Sequence, residues 1–297
     1  MNENQNDEWL RRLEIRRNKL IKQGTDKDYL AANITAIQAV LSVGQPNATR
    51  SGLVLVYNMS SADIPAFVRA SQAEDPKPYK NAYDMAGIGL GFRRQGVGRR
   101  RRRVDKALPV QPGKNIYFGA VELNGSGMRF YGDFCLVLRQ CDQDKLIVLD
   151  RDSYYLEYPP ISGRIQGVAS KRKKEADKLS GKWNPDLNCI ATIKVLGSHL
   201  PPDRILTTDR ISDAVLSDED YIEVLRRNSF GTSDLRENRV TAGDAALETS
   251  IGNNLASGRC PTFQELLWRK RRRDAVTFLR QERIATRVIT TTGRVKS

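Results

Sequence analysis

Histidine is almost missing from this chain: His199 is the only one in 297 residues. That scarcity excludes multi-histidine metal centres, HNH-type nucleases and the two-histidine ribonuclease mechanism. Any Ser/His/Asp or Cys/His chemistry would have to run through His199, in Gly197-Ser198-His199-Leu200-Pro201-Pro202, and no Gly-x-Ser-x-Gly elbow accompanies it. The four cysteines, Cys135, Cys141, Cys189 and Cys260, form no Cys-x-x-Cys pair, which argues against a zinc ribbon and a disulfide framework. Cys135 sits in an apolar run and reads as a small core residue. No stretch of eighteen apolar residues occurs, so no membrane-spanning helix is expected. Residues 1–17 lack the apolar centre of a secretory signal. Together these absences point to a reducing, cytoplasmic setting, with nucleus or nucleoid included.

What the chain has in excess is positive charge. Lys and Arg number 49 against 35 Asp and Glu, a net charge of +14. Such a balance speaks to partners rather than to fold. A basic helix with a strong aromatic face, which would favour an anionic membrane, is not apparent. Nucleic acid, DNA or RNA, is the expected partner, and a second subunit or a protein partner is the alternative.

The charge is concentrated. Gly87–Arg103 holds five glycines and seven arginines and no acid. Its Gly87-x-Gly89-x-Gly91 lacks the preceding strand and later acid of a dinucleotide fingerprint. The arginines Arg93, Arg94, Arg99, Arg100, Arg101, Arg102 and Arg103 therefore carry the signal, as a loop over 86–103 that orders on a polyanion. Tyr79, Tyr83 and Phe92 lie near it, and aromatics among arginines can stack on unpaired bases. Two further basic runs extend the cationic surface: Lys171-Arg172-Lys173-Lys174 and Arg269-Lys270-Arg271-Arg272-Arg273. Five consecutive cations cover every side of a helix, so some must meet phosphates, acidic side chains or another subunit.

The hydrophobic pattern predicts an α+β protein. Trp9, Leu10, Leu13, Leu20 and Ile21, then Leu30, Ile34, Ile37 and Leu41, give an N-terminal helical hairpin over 1–44, with a stop at Gly24 and a start at Thr25. An α+β core over 45–200 begins with a strand at Leu53–Tyr57. A helix follows, with Ser60 and Ser61 as caps and Pro65 in its first turn. Strands at Ile116–Leu123, Met128–Leu138 and Leu146–Leu149 make an antiparallel meander around Asn124-Gly125, with Tyr154–Tyr158 as an extension. Residues 161–186 read as a linker or exposed helix, and Ile190–Leu196 as another strand. A helical, basic C-terminal region covers 201–297. In it Ser217-Asp218-Glu219-Asp220 starts one helix, and a Thr262–Glu265 capping box starts another running to about Arg283. Residues 286–297 read as a mobile tail.

Carboxylates at strand ends suggest a second chemistry. Glu122, Asp133, Asp150 and Asp152 are the candidate catalytic acids, and Asp133, Asp150 and Asp152 would hold Mg²⁺ for phosphodiester chemistry in a nuclease or nucleic-acid-modifying enzyme. Glu122 and Asp133 would otherwise pair with Arg129 or Arg139. Asp150-x-Asp152 after an apolar run resembles the first motif of haloacid-dehalogenase-type phosphatases. Gly243-Asp244 with Glu248 resembles their last, but the run before Gly243 is too polar for a core strand. An NAD-dependent ADP-ribosyltransferase-like effector is a further alternative, needing neither metal nor histidine, with Thr290-Thr291-Thr292 and Glu157 or Glu223 as its residues. There Glu223 is expected on the helix started at Ser217. A non-enzymatic assembly protein with arginine-rich surfaces is the third.

Overall fold

A computed structural model describes residues 4–41, 52–87, 99–110, 115–139, 145–156, 169–198, 205–217 and 220–290. The helices in chain order are α1 (Asn4–Lys22), α2 (Lys27–Leu41), α3 (Ile64–Gln72), α4 (Ala82–Gly87), α5 (Arg99–Asp105), α6 (Ala169–Leu179), α7 (Leu187–Val195), α8 (Thr208–Val215), α9 (Ala242–Ala256) and α10 (Phe263–Gln281). The strands are β1 (Val54–Met59), β2 (Tyr117–Glu122), β3 (Phe134–Leu138), β4 (Ile147–Leu149), β5 (Ser180–Lys182), β6 (Leu216–Ser217), β7 (Asp220–Tyr221), β8 (Glu223–Arg226), β9 (Leu235–Thr241) and β10 (Thr286–Ile289). Helix and sheet are thus mixed, as the α+β expectation requires. None of the described helices is long and apolar enough to cross a membrane.

The chain divides into two units, each made of separated segments. The first comprises residues 1–53, 80–123 and 142–228. Its strands run in the order β2-β8-β4-β5, every neighbour antiparallel. Val104, Leu108, Ile116, Leu149 and Leu225 are buried together there. Helices α1 and α2 form as expected, and both pack on α7. Trp9 is buried and its indole N–H donates to the Ser180 carbonyl at 3.1 Å, whereas Leu10 faces outward. Asp26, not Thr25, caps α2: its Oδ1 accepts the Tyr29 N–H at 2.7 Å.

The second unit comprises residues 54–79, 124–141 and 229–297. Its strands run β10-β9-β3-β1, with β1, β3 and β9 antiparallel and β10 parallel to β9. Helices α9 and α10 supply the crossover that a parallel pair needs. Tyr79 stacks on Phe230 with ring centres 4.4 Å apart, and Tyr57 and Phe67 close the same cluster.

Several expectations are corrected. The meander does not form: β2 pairs with β8, β3 with β1 and β9, and β4 with β8 and β5. The predicted strand from Met128 is interrupted because Arg129–Tyr131 turn as a 3₁₀ helix and only Phe134–Leu138 extend. Ser153–Leu156 are also 3₁₀, not strand. The run at Ile190–Leu196 is helical, since Leu187, Ile190, Ala191 and Val195 are buried at helical spacing. Ser217 and Asp220 pair across a hairpin instead of starting a helix. The N-cap of α3 is Asp63 rather than Ser60 or Ser61. Part of the expected tail, Thr286–Ile289, is β10. The arginines 99–103 lie in α5 rather than in a loop.

Candidate nucleic-acid interface

Helix α10 begins where the sequence indicates. Thr262 Oγ1 accepts the Glu265 N–H at 3.2 Å, and Glu265 Oε2 accepts the Thr262 N–H at 2.7 Å, satisfying two N-terminal donors. Arg272, Ala275 and Leu279 share the buried face. Because the basic run wraps a full turn, one of its cations had to fall on that face, and it is Arg272, 1% exposed. Its Nη1 donates to Asp133 Oδ2 at 2.8 Å and its Nε to Glu248 Oε2 at 3.3 Å, and Asp244 lies 3.7 Å away. The guanidinium also stands over Trp268 and Phe134, 4.8 and 5.2 Å from the ring centres. Asp244 in turn accepts from Arg129 Nη2 at 2.6 Å. A buried guanidinium needs this much compensation, because an unpaired charge would cost several kcal/mol.

The rest of the run meets other surroundings. Lys270, Arg271 and Arg273 are exposed, and Arg280 lies on the same side of the helix as Lys270 and Arg273. Leu266, Lys270, Arg273, Thr277 and Arg280 recur at alternating four- and three-residue steps, which places them on one outward stripe. Lys270 pairs with Asp274 at 2.5 Å, an exposed pair of little energetic weight. Arg269 is half-buried and lies against Gly252 of α9, where a Cβ would stand 2.8 Å from its Nη2. Arg271 acts electrostatically on Asp63, the N-cap of α3. Burial raises the Asp63 pKa, and Arg271 opposes that rise.

The first unit carries the other basic runs. In α5, Arg101 is turned inward: its guanidinium lies 3.7 Å from the Phe118 ring centre and pairs with Asp105. Burial disfavours its charge, but Glu223 and then Asp105 outweigh burial and raise its pKa. Arg102 and Arg103 are exposed, as are Lys171, Lys173 and Lys174 of α6, while Arg172 is partly buried. Arg93 and Arg94, and the side chains of Arg99 and Arg100, lie outside the described residues. Two nominated cations, Arg101 and Arg272, therefore have interior roles, for the reason that made helical coverage total: a basic run longer than one turn cannot keep every member in water.

Each candidate acid has its own engagement. Asp133 belongs to the second unit, precedes β3 and pairs with neither Arg129 nor Arg139. Its Oδ1 accepts the Ser61 N–H at 2.7 Å while Oδ2 holds Arg272. In the first unit, Glu122 Oε1 accepts from the Leu123 N–H at 2.8 Å and from Ser212 Oγ at 3.2 Å. Asp150 receives Arg151 at 2.9 and 3.1 Å through its two oxygens. Asp152 Oδ1 accepts the Tyr154 N–H at 2.8 Å. Among the described residues no three His, Cys, Asp or Glu side chains group as a metal ion requires.

Glu223 is a residue whose importance the sequence does not announce. It lies on β8, not on a helix, and its Oε2 accepts the Ser153 N–H at 2.9 Å. Burial and then the Asp152 carboxylate push its pKa up to about 7, against the pull of Arg101. The available signal was an acid inside the apolar run Tyr221-Ile222-Glu223-Val224-Leu225. Glu157, His199, Thr291 and Thr292 lie outside the described residues. The strand before Gly243 does form, as β9, in spite of its polarity. Asp244 and Glu248 are committed to Arg129 and Arg272.

No protein-family model matches the chain, and no curated protein matches it.

Proposed function

We propose that this protein binds nucleic acid through exposed cations on its helices, with Lys270, Arg271, Arg273 and Arg280 of α10 as the principal set. The observation that carries this reading is the division of the basic run. One arginine, Arg272, is neutralised inside by Asp133 and Glu248, while Lys270, Arg271 and Arg273 stay at the surface. A helix face presenting Lys270, Arg273 and Arg280 offers several cations along its length to the repeating charge of a phosphate backbone. Lys171, Lys173 and Lys174 on α6 and Arg102 and Arg103 on α5 supply a similar contribution in the first unit. The function proposed is binding.

Fluorescence anisotropy with labelled oligonucleotides tests it. Affinity for both single-stranded and duplex probes should fall steeply between about 50 and 200 mM salt, because neutralised phosphates release counterions. Absence of binding at the low-salt end, or a flat salt response, would refute the proposal.

A further inference from the structure

Strand β10 ends the strand order of the second unit, and among the described residues no strand pairs with its far side. Its register on β9 fixes which main-chain groups meet that side. The Asn238 N–H donates to the Ala285 carbonyl at 2.8 Å, and Thr286 stands opposite Asn238. In a parallel ladder the N–H and C=O of one residue point the same way, and successive residues alternate. Ala285, Arg287 and Ile289 therefore turn their main-chain groups to β9, and Thr286 and Val288 turn theirs outward. Val288 is 58% exposed. On β5, the edge strand of the first unit, side chains take that place. The Ser180 carbonyl accepts from Trp9 Nε1 at 3.1 Å, and the Lys182 N–H donates to Asp186 Oδ2 at 2.7 Å.

The charge around β10 selects the occupant of its edge. From Arg280 to Ser297 the sequence holds five cations, Arg280, Arg283, Arg287, Arg294 and Lys296, and one acid, Glu282. Glu282 is engaged: its two oxygens accept from Gln72 Nε2 at 2.8 Å and from Thr232 Oγ1 at 2.9 Å. Arg287, on β10 itself, has 61% of its side chain exposed and shares Glu237 with Arg236 and Arg239, three guanidiniums to one carboxylate. A second copy paired edge to edge would set this charge against itself. A phosphate backbone offers acceptors but no N–H donors to answer the outward carbonyls of Thr286 and Val288. An extended acidic peptide answers both the charge and the ladder.

We propose that β10 is a docking edge for an extended acidic segment of a partner protein, added to the sheet as a strand in which acidic and apolar residues alternate. This goes beyond the nucleic-acid reading and does not depend on it. Main-chain bonds to Thr286 and Val288 supply affinity, and alternate side chains supply selectivity. Arg287 stands opposite Arg239 and shares its face of the sheet, while Val288 stands opposite Val240 on the other face. The acids of the added strand lie on the Arg287 face, and its apolar side chains lie beside Val288.

The probe is a fluorescein-labelled Glu-Val-Glu-Val-Glu-Val-Glu peptide, read by anisotropy with the full chain at low salt. A peptide of the same composition with its glutamates grouped should bind roughly tenfold more weakly. Val288→Pro removes an outward N–H and no bond to β9, so it should weaken the alternating peptide roughly tenfold while the melting temperature holds. Should that variant fail to fold, Val288→Glu, at an exposed side chain, keeps the ladder and should weaken the peptide through like charge. N-methylation of every second peptide nitrogen should abolish binding in one phase and spare it in the other, because an added strand donates through alternate residues. The proposal is overturned if wild type does not bind the peptide, if alternating and grouped peptides bind alike, or if the two N-methylation phases act equally. Wild-type affinity in the folded Val288→Pro variant, or in Val288→Glu, overturns it as well. Self-association lost in Val288→Pro, with no peptide bound by wild type, would give the edge to a second copy. Oligonucleotide binding lost in that variant, again with no peptide bound, would give it to nucleic acid.

Discussion

Arg272 Nη1 donates to Asp133 Oδ2 at 2.8 Å, joining residues 139 positions apart in the chain. With Asp244 and Glu248 on its other sides, this guanidinium makes the interior of the second unit electrostatically tolerable. Its neighbour Arg273 does the opposite work, at the surface.

Adjacent residues in one basic run should therefore behave differently. Arg272→Met should destabilise by about 3–5 kcal/mol, since it leaves buried carboxylates without their cation. Arg273→Gln should stay within about 0.5 kcal/mol of wild type, as exposed substitutions usually do. Thermal and denaturant unfolding read both, and equal effects would contradict the assignment of interior and surface.

Asp133→Asn distinguishes the ion-pair role from a metal role. It should lower the melting temperature by the same amount with and without added Mg²⁺. A deficit appearing only with Mg²⁺ present would restore Asp133 as a metal ligand.

Glu223 gives stability a pH dependence with a definite sign. Its folded pKa of about 7 lies above the ordinary 4.5. The folded state thus binds this proton more tightly, and the resulting stabilisation is complete below about pH 4.5 and lost as pH rises through 7. Wild type should melt at a higher temperature near pH 5.5 than near pH 8, as far as this group decides it. Glu223→Gln cannot ionise, so its advantage over wild type should grow across that interval. An unchanged difference between the two proteins would show that Glu223 does not titrate there.

Replacing Lys270, Arg271 and Arg273 together by Gln should reduce the salt slope of duplex binding by up to about 2–3, near 0.9 for each phosphate no longer neutralised. The melting temperature should hold. A variant with the wild-type slope would move the binding surface elsewhere, to α6 or α5.

What could be read from sequence was what short-range chemistry decides. Leu30, Ile37 and Leu41 mark α2 by spacing alone, and Thr262 with Glu265 marks the start of α10. Ile190–Val195 misled because β-branched residues favour strands, yet their burial on one helical face won. β9 was hidden by its own polarity. Arg239 Nε donates to Glu237 Oε1 at 2.8 Å and Arg239 Nη1 to the Gly125 carbonyl at 3.1 Å, so charged side chains are buried with partners that local pattern cannot show. Of the candidate interface, the basic run was evident and its division was not. Which arginine turns inward depends on Asp133 and Asp244, brought to it from distant segments.

The segmental make-up of the second unit imposes an order on biosynthesis. Strand β3 leaves the ribosome roughly 100 residues before β9, a wait of some 5–20 s at ordinary elongation rates. Throughout that interval one edge of an apolar strand has no neighbour, and the Asp133 carboxylate has no cation. Both are supplied by segments translated later, by β9 and by Arg272 on α10. A nascent chain halted before β9 would hold an open sheet edge and an unneutralised acid, a species suited to chaperone capture or to aggregation.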